Sequence, residues 1–110
     1  DFFESAKFHI AVENSIQKNY FTEKVIDCFA SKTVPIYYGC PNLGDWFNMN
    51  GIITFKNIEE LEIILSHLDS KKYDVRMDAI EDNYERAKKF HSDNDVVPRL
   101  TNRIVKEVNG

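Results

Sequence analysis

The sequence predicts an α/β protein built around a parallel β-sheet. The first half of the chain carries the evidence: an alternating apolar segment, FHIAV, precedes a helix-like segment, VIDCFASK, and a β-branched and aromatic segment, TVPIYY, follows. A strand, a helix and a second strand in this order form the crossover unit of a parallel sheet. With 110 residues, of which 43% are hydrophobic and 29% charged, the chain is expected to fold as one globular domain.

The first predicted strand and the first predicted helix lie on either side of a polar loop. Residues 7–12 have the two-residue period of a strand with one face more buried than the other. The two faces consist of Phe8, Ile10 and Val12 against Lys7, His9 and Ala11. Thr22 is a suitable cap for the helix, and Glu23 lies in its first turn, where the helix dipole favours an anion. The apolar residues at helical spacing, which predict about three turns, are Val25, Ile26, Phe29 and Ala30.

The second predicted strand spans residues 33–38 and ends at Gly39. Pro35 is expected near the start of this strand or at an edge, because proline has no N–H to donate. Tyr37 and Tyr38 alternate, so one is expected to pack inward while the other faces a ligand crevice. The segment PNLGDWF then predicts a turn and a short helical segment with its aromatic side chains in the core, and GIITF predicts a further short strand.

The rest of the chain is predicted to be helical. Asn57 is placed to cap a helix, and Glu60 occupies the capping-box position. The core-facing stripe of this helix consists of Leu61, Ile64, Leu65 and Leu68. Later stripes at helical spacing consist of Met77, Ile80, Tyr84 and Ala87, and of Val97, Leu100, Ile104 and Val108.

Charge and cysteine content exclude several classes of function. The formal charge is −4, with 18 acidic against 14 basic residues, so the broad basic surface of a nucleic-acid binder is not expected. A small anionic ligand is compatible with this charge, because a lysine and a helix N-terminus suffice to hold a diphosphate. Cys28 and Cys40 lack the spacing of a zinc or redox motif, so buried free thiols are expected.

The sequence leaves the cellular compartment open. No apolar run approaches the length of a membrane span, and the first residues, DFFESAK, lack the basic start and long apolar stretch of a signal peptide. Because the chain begins without an initiator Met, we expect it to be a piece of a longer protein.

Polar residues concentrate in the segment ENSIQKNYFTEK, between the first strand and its helix. In open parallel sheets, ligands bind at the carboxyl ends of the strands, where such loops lie. Lys24 can supply a point charge for a diphosphate, Asn14 a hydrogen-bond donor and Glu23 an acceptor for ribose hydroxyls, while Tyr20 can stack. An ordinary capped helix explains the same residues equally well, with Thr22 as the cap and a solvated lysine, so residue types alone leave the function undecided.

The stretch FHIAVENSIQKNYFTEKVIDCFASKTVPIYYGCPN resembles the donor-binding motif of the α1,3/4-fucosyltransferases, glycosyltransferase family 10. That family reads close to F-x-x-A-F-E-N-S, a spacer, Y-x-T-E-K, an apolar helix and V-P-[IV]-Y-x-G, and the resemblance covers residues 7–55. It implies a Rossmann-like parallel sheet with flanking helices, as in the C-terminal half of a GT-B glycosyltransferase. Residues 1–110 would then be a single donor-binding domain of a two-domain inverting enzyme that uses GDP-fucose.

The resemblance also implies roles for individual residues. Asn14 and Lys24 would contact the diphosphate, Tyr20 the nucleotide, and Glu23 the ribose or fucose hydroxyls. Glu13 would lie at the edge of the site and orient the loop or stabilise positive charge on the sugar. The other residues that match the motif are Thr22 and Gly39. Of these, Gly39 would let the chain turn close beside the donor. Val12 and Phe21 depart from the family pattern but stay apolar.

Several parts of the reaction are expected to lie outside this chain. The resemblance places the general base, an upstream arginine and the glycan acceptor site elsewhere, so no catalytic residue is assigned here. Self-association of the isolated piece is also expected, because the missing half of the cleft would leave apolar surface exposed. No metal or cofactor is predicted, and Asp93-Asn94-Asp95 is interpreted as a helix cap rather than a metal motif. The complete protein would lie in the cytoplasm or at the membrane periphery if it is bacterial, and in the Golgi lumen if it is eukaryotic. A stand-alone nucleotide-binding or interaction module without catalysis is the alternative.

Overall fold

The computed structural model describes residues 7–92 of the chain, with side chains described for residues 7–90. Three strands form one sheet in the order β1-β2-β3, and both pairings are parallel, which confirms the predicted α/β class. The strands are β1 (Phe8–Val12), β2 (Val34–Tyr38) and β3 (Ile53–Thr54). The helices are α1 (Glu23–Ala30), α2 (Ile58–Ser66), α3 (Ser70–Asp74) and α4 (Met77–Ser92), and short 3-10 turns cover Leu43–Asp45 and Met49–Gly51.

The central strand β2 accommodates Pro35 close to its start, as predicted. Val34 donates its N–H to the carbonyl of Lys7, just before β1, so the next backbone nitrogen, that of Pro35, faces β3. The pairing with β3 begins only at Ile36, opposite Ile53. Proline therefore stands where the sheet does not require a donor.

Apolar side chains cover both faces of the sheet, as is usual for parallel strands. Ala11 and Tyr37 belong to one core cluster, whereas Phe8, Val34 and Ile36 belong to the other. Residues of α1 and α4 contribute to the first cluster. It includes Phe21, Val25, Phe29, Phe47, Ala87 and Phe90, and Trp46 packs against it. The second is covered by the predicted stripe, of which Leu61, Ile64 and Leu65 lie in α2 and Leu68 lies just beyond its end.

Burial in β1 departs from the two-residue pattern of the sequence. Val12 is 43% exposed, whereas Ala11, on the opposite face, is only 3% exposed. Because α1 covers the face that carries Ala11, this small residue is buried without a large apolar side chain of its own. Val12 lies at the carboxyl end of the strand, where the chain enters the polar loop.

Helix α1 is shorter than the predicted three turns. It has 8 residues, and Thr22 caps it as expected by accepting a hydrogen bond from Lys24 N. Lys32 takes a left-handed conformation with φ 55°, and Thr33 N donates back to Cys28 O at 2.8 Å. This closing pattern ends the helix early because it turns the chain towards β2.

The helical region after β3 differs from its prediction in two ways. The predicted stripe that starts at Met77 lies in α4, but a separate short helix, α3, precedes it, and Met77 is 40% exposed rather than buried. Asn83 is buried instead: its Oδ1 accepts from Asn48 N at 2.7 Å and its Nδ2 donates to Asn48 O at 2.9 Å. The cap of Asn57 on α2 is confirmed. The last predicted helix and Asp93-Asn94-Asp95 lie outside the described residues.

Candidate functional site

Two loops meet at the carboxyl edge of the sheet. One, residues 13–22, connects β1 to α1, and the other, residues 39–45, follows β2. Because β1 and β2 are parallel neighbours, their carboxyl ends lie side by side and bring the two loops together. This edge carries every site residue that the sequence predicts.

Glu13 is a buried carboxylate that closes the first loop. Its Oε2 accepts from Thr22 N at 3.0 Å, and its Oε1 accepts from Thr22 Oγ1 at 2.7 Å. Tyr37 Oη donates to Oε2 at 2.9 Å. Both oxygens are therefore occupied, which agrees with the loop-orienting role among those expected for Glu13.

Tyr37 links this carboxylate to the second loop. Its hydroxyl accepts a hydrogen bond from Cys40 N at 3.1 Å while donating to Glu13. Burial raises the pKa of the Tyr37 phenol well above its usual range, so the hydroxyl stays protonated and keeps its donor. Sequence reasoning placed one of the two tyrosines inward but missed that Tyr37 joins the loops.

Gly39 is required by close packing rather than by its backbone angles. No glycine of the described chain has a positive φ. A Cβ at Gly39 would instead overlap Glu13 Cγ and lie 2.6 Å from Tyr37 Oη. The position therefore keeps room for the Glu13 and Tyr37 hydrogen bond.

Lys24, in the first turn of α1, lies beside Asn14, which follows β1. Lys24 Nζ donates to Val12 O at 3.1 Å and to Asn14 Oδ1 at 3.3 Å, and both side chains are exposed. Glu23, beside Lys24 in the first turn, is also exposed. A positive charge at a helix N-terminus, with amide groups beside it, is chemically suited to hold a phosphate.

The last part of the first loop is buried. Tyr20 is 5% exposed, so its ring lies within the protein, and its contact with a nucleotide stays a prediction. Phe21 is fully buried and makes edge contacts with Trp46, Phe47 and Phe90. This aromatic anchor fixes the point at which the loop enters α1.

A pair of asparagines that the sequence analysis missed joins the two loops. Asn42 Oδ1 accepts from Asn19 N at 2.8 Å, and Asn42 Nδ2 donates to Asn19 Oδ1 at 2.9 Å. Asn19 has a left-handed φ of 64°, a conformation that asparagine tolerates better than most residues. An asparagine directly after a proline at a strand end was the available signal, although its partner was not predictable.

A groove of about 630 Å³ runs between β1 and α1, with Val12 and Lys24 among the residues that line it. Cys28 also lines this groove, and burial raises the pKa of its thiol to about 12. The thiol is therefore protonated near neutral pH and is a poor nucleophile. Cys28 and Cys40 are both buried and free, as predicted.

The described residues hold no group of three or more His, Cys, Asp or Glu side chains arranged to bind a metal ion. Within residues 7–92, no helix has both the length and the apolar character needed to cross a bilayer.

Comparisons with known proteins agree with the resemblance in the sequence. The family described as glycosyltransferase family 10 (fucosyltransferase) C-term matches residues 1–90. The chain is 35% identical over 75 residues to alpha-(1,3)-fucosyltransferase FucT of Helicobacter pylori, covering 66% of this chain and 16% of that protein. It is 37% identical over 68 residues to GDP-fucose protein O-fucosyltransferase 3 of Homo sapiens, covering 58% of this chain and 14% of that protein.

A solved structure shares the fold. The crystal structure of an alpha1,3-fucosyltransferase matches with a TM-score of 0.55 and 33% sequence identity. The match covers 69% of this chain and 24% of that structure. The chain thus spans about a quarter or less of the length of these relatives.

Proposed function

From the premise that this chain belongs to glycosyltransferase family 10, the fucosyltransferases, we propose that it forms the donor-binding part of an enzyme that transfers fucose from GDP-fucose. The observation that carries the proposal is the position of Lys24 and Asn14 together at the carboxyl edge of the sheet. Ligands of open parallel sheets bind at this edge, beside helix N-termini.

Lys24 is the proposed contact of the diphosphate. Its ammonium is exposed and donates to a backbone carbonyl and to the Asn14 amide, and the ion pairs recorded within residues 7–92 do not include it. Two other lysines of the described chain are recorded in ion pairs, Lys32 with Glu81 at 3.2 Å and Lys88 with Glu85 at 3.3 Å. An ammonium held by neutral oxygens keeps its charge available for an incoming phosphate.

Asn14 and Glu23 complete the proposed contacts with the donor. The Asn14 amide nitrogen is the group that would donate to a phosphate oxygen, because its Oδ1 already accepts from Lys24. Glu23 is exposed and adjacent to Lys24, and its carboxylate is the proposed acceptor of hydrogen bonds from ribose or fucose hydroxyls. The contact of Tyr20 with the nucleotide stays a prediction, because its side chain is only 5% exposed.

In the proposed reaction these residues hold the leaving group. An inverting transfer needs a base that deprotonates the acceptor hydroxyl while it attacks the anomeric carbon opposite the departing nucleotide. Glu13 is unsuited to that task, because three hydrogen bonds already occupy its carboxylate oxygens. We assign the base and the glycan acceptor site to the part of the enzyme outside this chain. Lys24 would stabilise negative charge that develops on the diphosphate.

Calorimetric titration of the complete protein with nucleotides tests this proposal. GDP and GDP-fucose are expected to bind more tightly than UDP and ADP, because the family uses a guanine nucleotide as its carrier. Equal affinity for the three diphosphates would remove the support for a GDP-sugar donor. A radiolabelled transfer assay with GDP-fucose and a panel of glycans then identifies the acceptor.

A further inference from the structure

We propose that Asn42 is a positioning residue that holds the middle of the donor loop, residues 15–19, in its binding conformation. This proposal rests on the proposed function, because it assigns the loop to the GDP-fucose donor. Asn42 itself lies in the neighbouring loop after β2, and its side chain reaches across the gap between the two loops.

The amide of Asn42 matches the backbone and side chain of Asn19. Its oxygen accepts from Asn19 N at 2.8 Å, and its nitrogen donates to Asn19 Oδ1 at 2.9 Å. The same nitrogen donates to Asp45 Oδ2 at 2.8 Å, and the oxygen accepts from Cys40 Sγ at 3.2 Å. These four contacts determine which way the amide faces, so Asn42 presents its oxygen to the Asn19 N–H.

The ends of the loop are held by other means. Glu13 and Thr22 are joined through the buried carboxylate, and Phe21 is buried in the aromatic cluster. Between these ends, the hydrogen bonds recorded from residues 15–19 to the described chain outside the loop both go to Asn42. Without Asn42, the middle of the loop would lose both of these bonds.

Asn19 is the point at which the loop changes direction. Its φ of 64° is left-handed, and the next two residues, Tyr20 and Phe21, are buried. The Asn42 amide holds the peptide nitrogen at this turn, and residues 15–18 connect the turn to Asn14. Ordering these residues before the donor arrives reduces the entropy that binding must lose.

The contacts of Asn42 with Asn19 are on the exposed side of the site, in contrast to those of Glu13. Exposed hydrogen bonds add little to global stability because water replaces them on unfolding. We therefore expect loss of Asn42 to affect donor affinity much more than the melting temperature.

Three variants of the complete protein test the proposal by GDP titration, thermal melting and hydrogen exchange. Asn42→Ala is expected to weaken GDP binding about tenfold, since it removes both hydrogen bonds to Asn19. Asn19→Gly keeps the left-handed turn and removes one of the bonds, so about a threefold loss is expected. Asn50→Ala, at an exposed asparagine of the second 3-10 turn, is the matched control and should bind as the wild type does.

Coupling between the two positions separates positioning from general damage. In the Asn42→Ala background, Asn19→Gly is expected to have no further effect on GDP affinity, because the bond that it removes is already lost. Amide exchange should rise in residues 15–20 of Asn42→Ala and stay unchanged in α4. Wild-type affinity in Asn42→Ala, or additive losses in the double variant, would overturn the positioning role alone. Absence of GDP binding by the wild-type protein would overturn the proposed function and this proposal with it.

Discussion

The Glu13 carboxylate accepts hydrogen bonds from both the backbone and the side chain of Thr22, at 3.0 and 2.7 Å. Thr22 in turn caps α1, so one buried carboxylate connects the end of β1 to the start of the helix. The loop that carries Asn14 is thereby closed at its base, next to Lys24 in the first turn of α1.

Replacing Glu13 by alanine is expected to destabilise the protein. The change leaves the buried Thr22 N–H and the Tyr37 hydroxyl without their acceptor, at a cost of roughly 3 kcal/mol in the free energy of unfolding. Urea denaturation followed by circular dichroism measures this difference. Glu62→Ala, at an exposed site of α2, should change stability by less than about 0.5 kcal/mol. Similar effects of the two substitutions would show that the carboxylate does not hold the loop.

Gly39→Ala should be destabilising for a steric reason. The new Cβ would overlap Glu13 Cγ and crowd Tyr37 Oη, and these side chains cannot move without losing their hydrogen bonds. A loss of about 1 to 3 kcal/mol is expected in the same urea experiment. Gly44→Ala is the comparison, because its Cβ would meet only the flexible side chain of Met49, at 3.0 Å. Equal stability of the two variants would contradict the packing described here.

Lys24→Ala is expected to weaken GDP binding about tenfold or more, because it removes the charge proposed to contact the diphosphate. Lys88→Ala, on the exposed face of α4, should change the affinity by less than about twofold. Calorimetry at two salt concentrations adds a second criterion, since only the Lys24 variant should lose part of the salt dependence. Matching effects of both variants would exclude the role assigned to Lys24.

The buried thiol of Cys28 predicts a loss of stability at alkaline pH. Burial, with added repulsion from Asp27 and Glu13, raises its pKa from 9.0 to about 12 in the folded protein. As the pH rises, the unfolded chain therefore releases the thiol proton first. The stability that the buried, protonated thiol contributes is complete below pH 9 and is lost as the pH rises towards 12.

Cys28→Ala tests this prediction by urea denaturation near pH 8 and about pH 10.5. Between these two pH values, the free energy of unfolding of the wild type is expected to fall by roughly 2 kcal/mol more than that of the variant. The difference between the two proteins near pH 8 gives the cost of the cavity that the substitution leaves, and this cost is subtracted. Tyr37 and Tyr73, whose pKa values burial also raises, are present in both proteins and cancel in the comparison. Parallel losses in the two proteins would assign the alkaline effect to other groups.

Local sequence signals predicted the elements that depend on short-range physics. The strand, helix and strand at the start of the chain follow from apolar spacing and the Thr22 cap, and the start of α2 follows from the Asn57 cap. Each cap acts within one turn of its helix. The signals failed where burial depends on a distant partner. Ala11 is buried because α1 covers it, and Asn83 is buried because its amide matches the backbone of Asn48.

The candidate site divides in the same way. The sequence by itself determined that a polar loop with Asn14 follows a parallel strand and leads to Glu23 and Lys24 in the first turn of a helix, because strand and helix periodicity place that loop at the carboxyl edge of the sheet. Only the tertiary structure decided how the loop is held. The hydrogen bond between Tyr37 and Glu13 joins residues that are 24 positions apart, and the one between Asn42 and Asn19 joins residues that are 23 positions apart. These residues meet only after the two strands have paired.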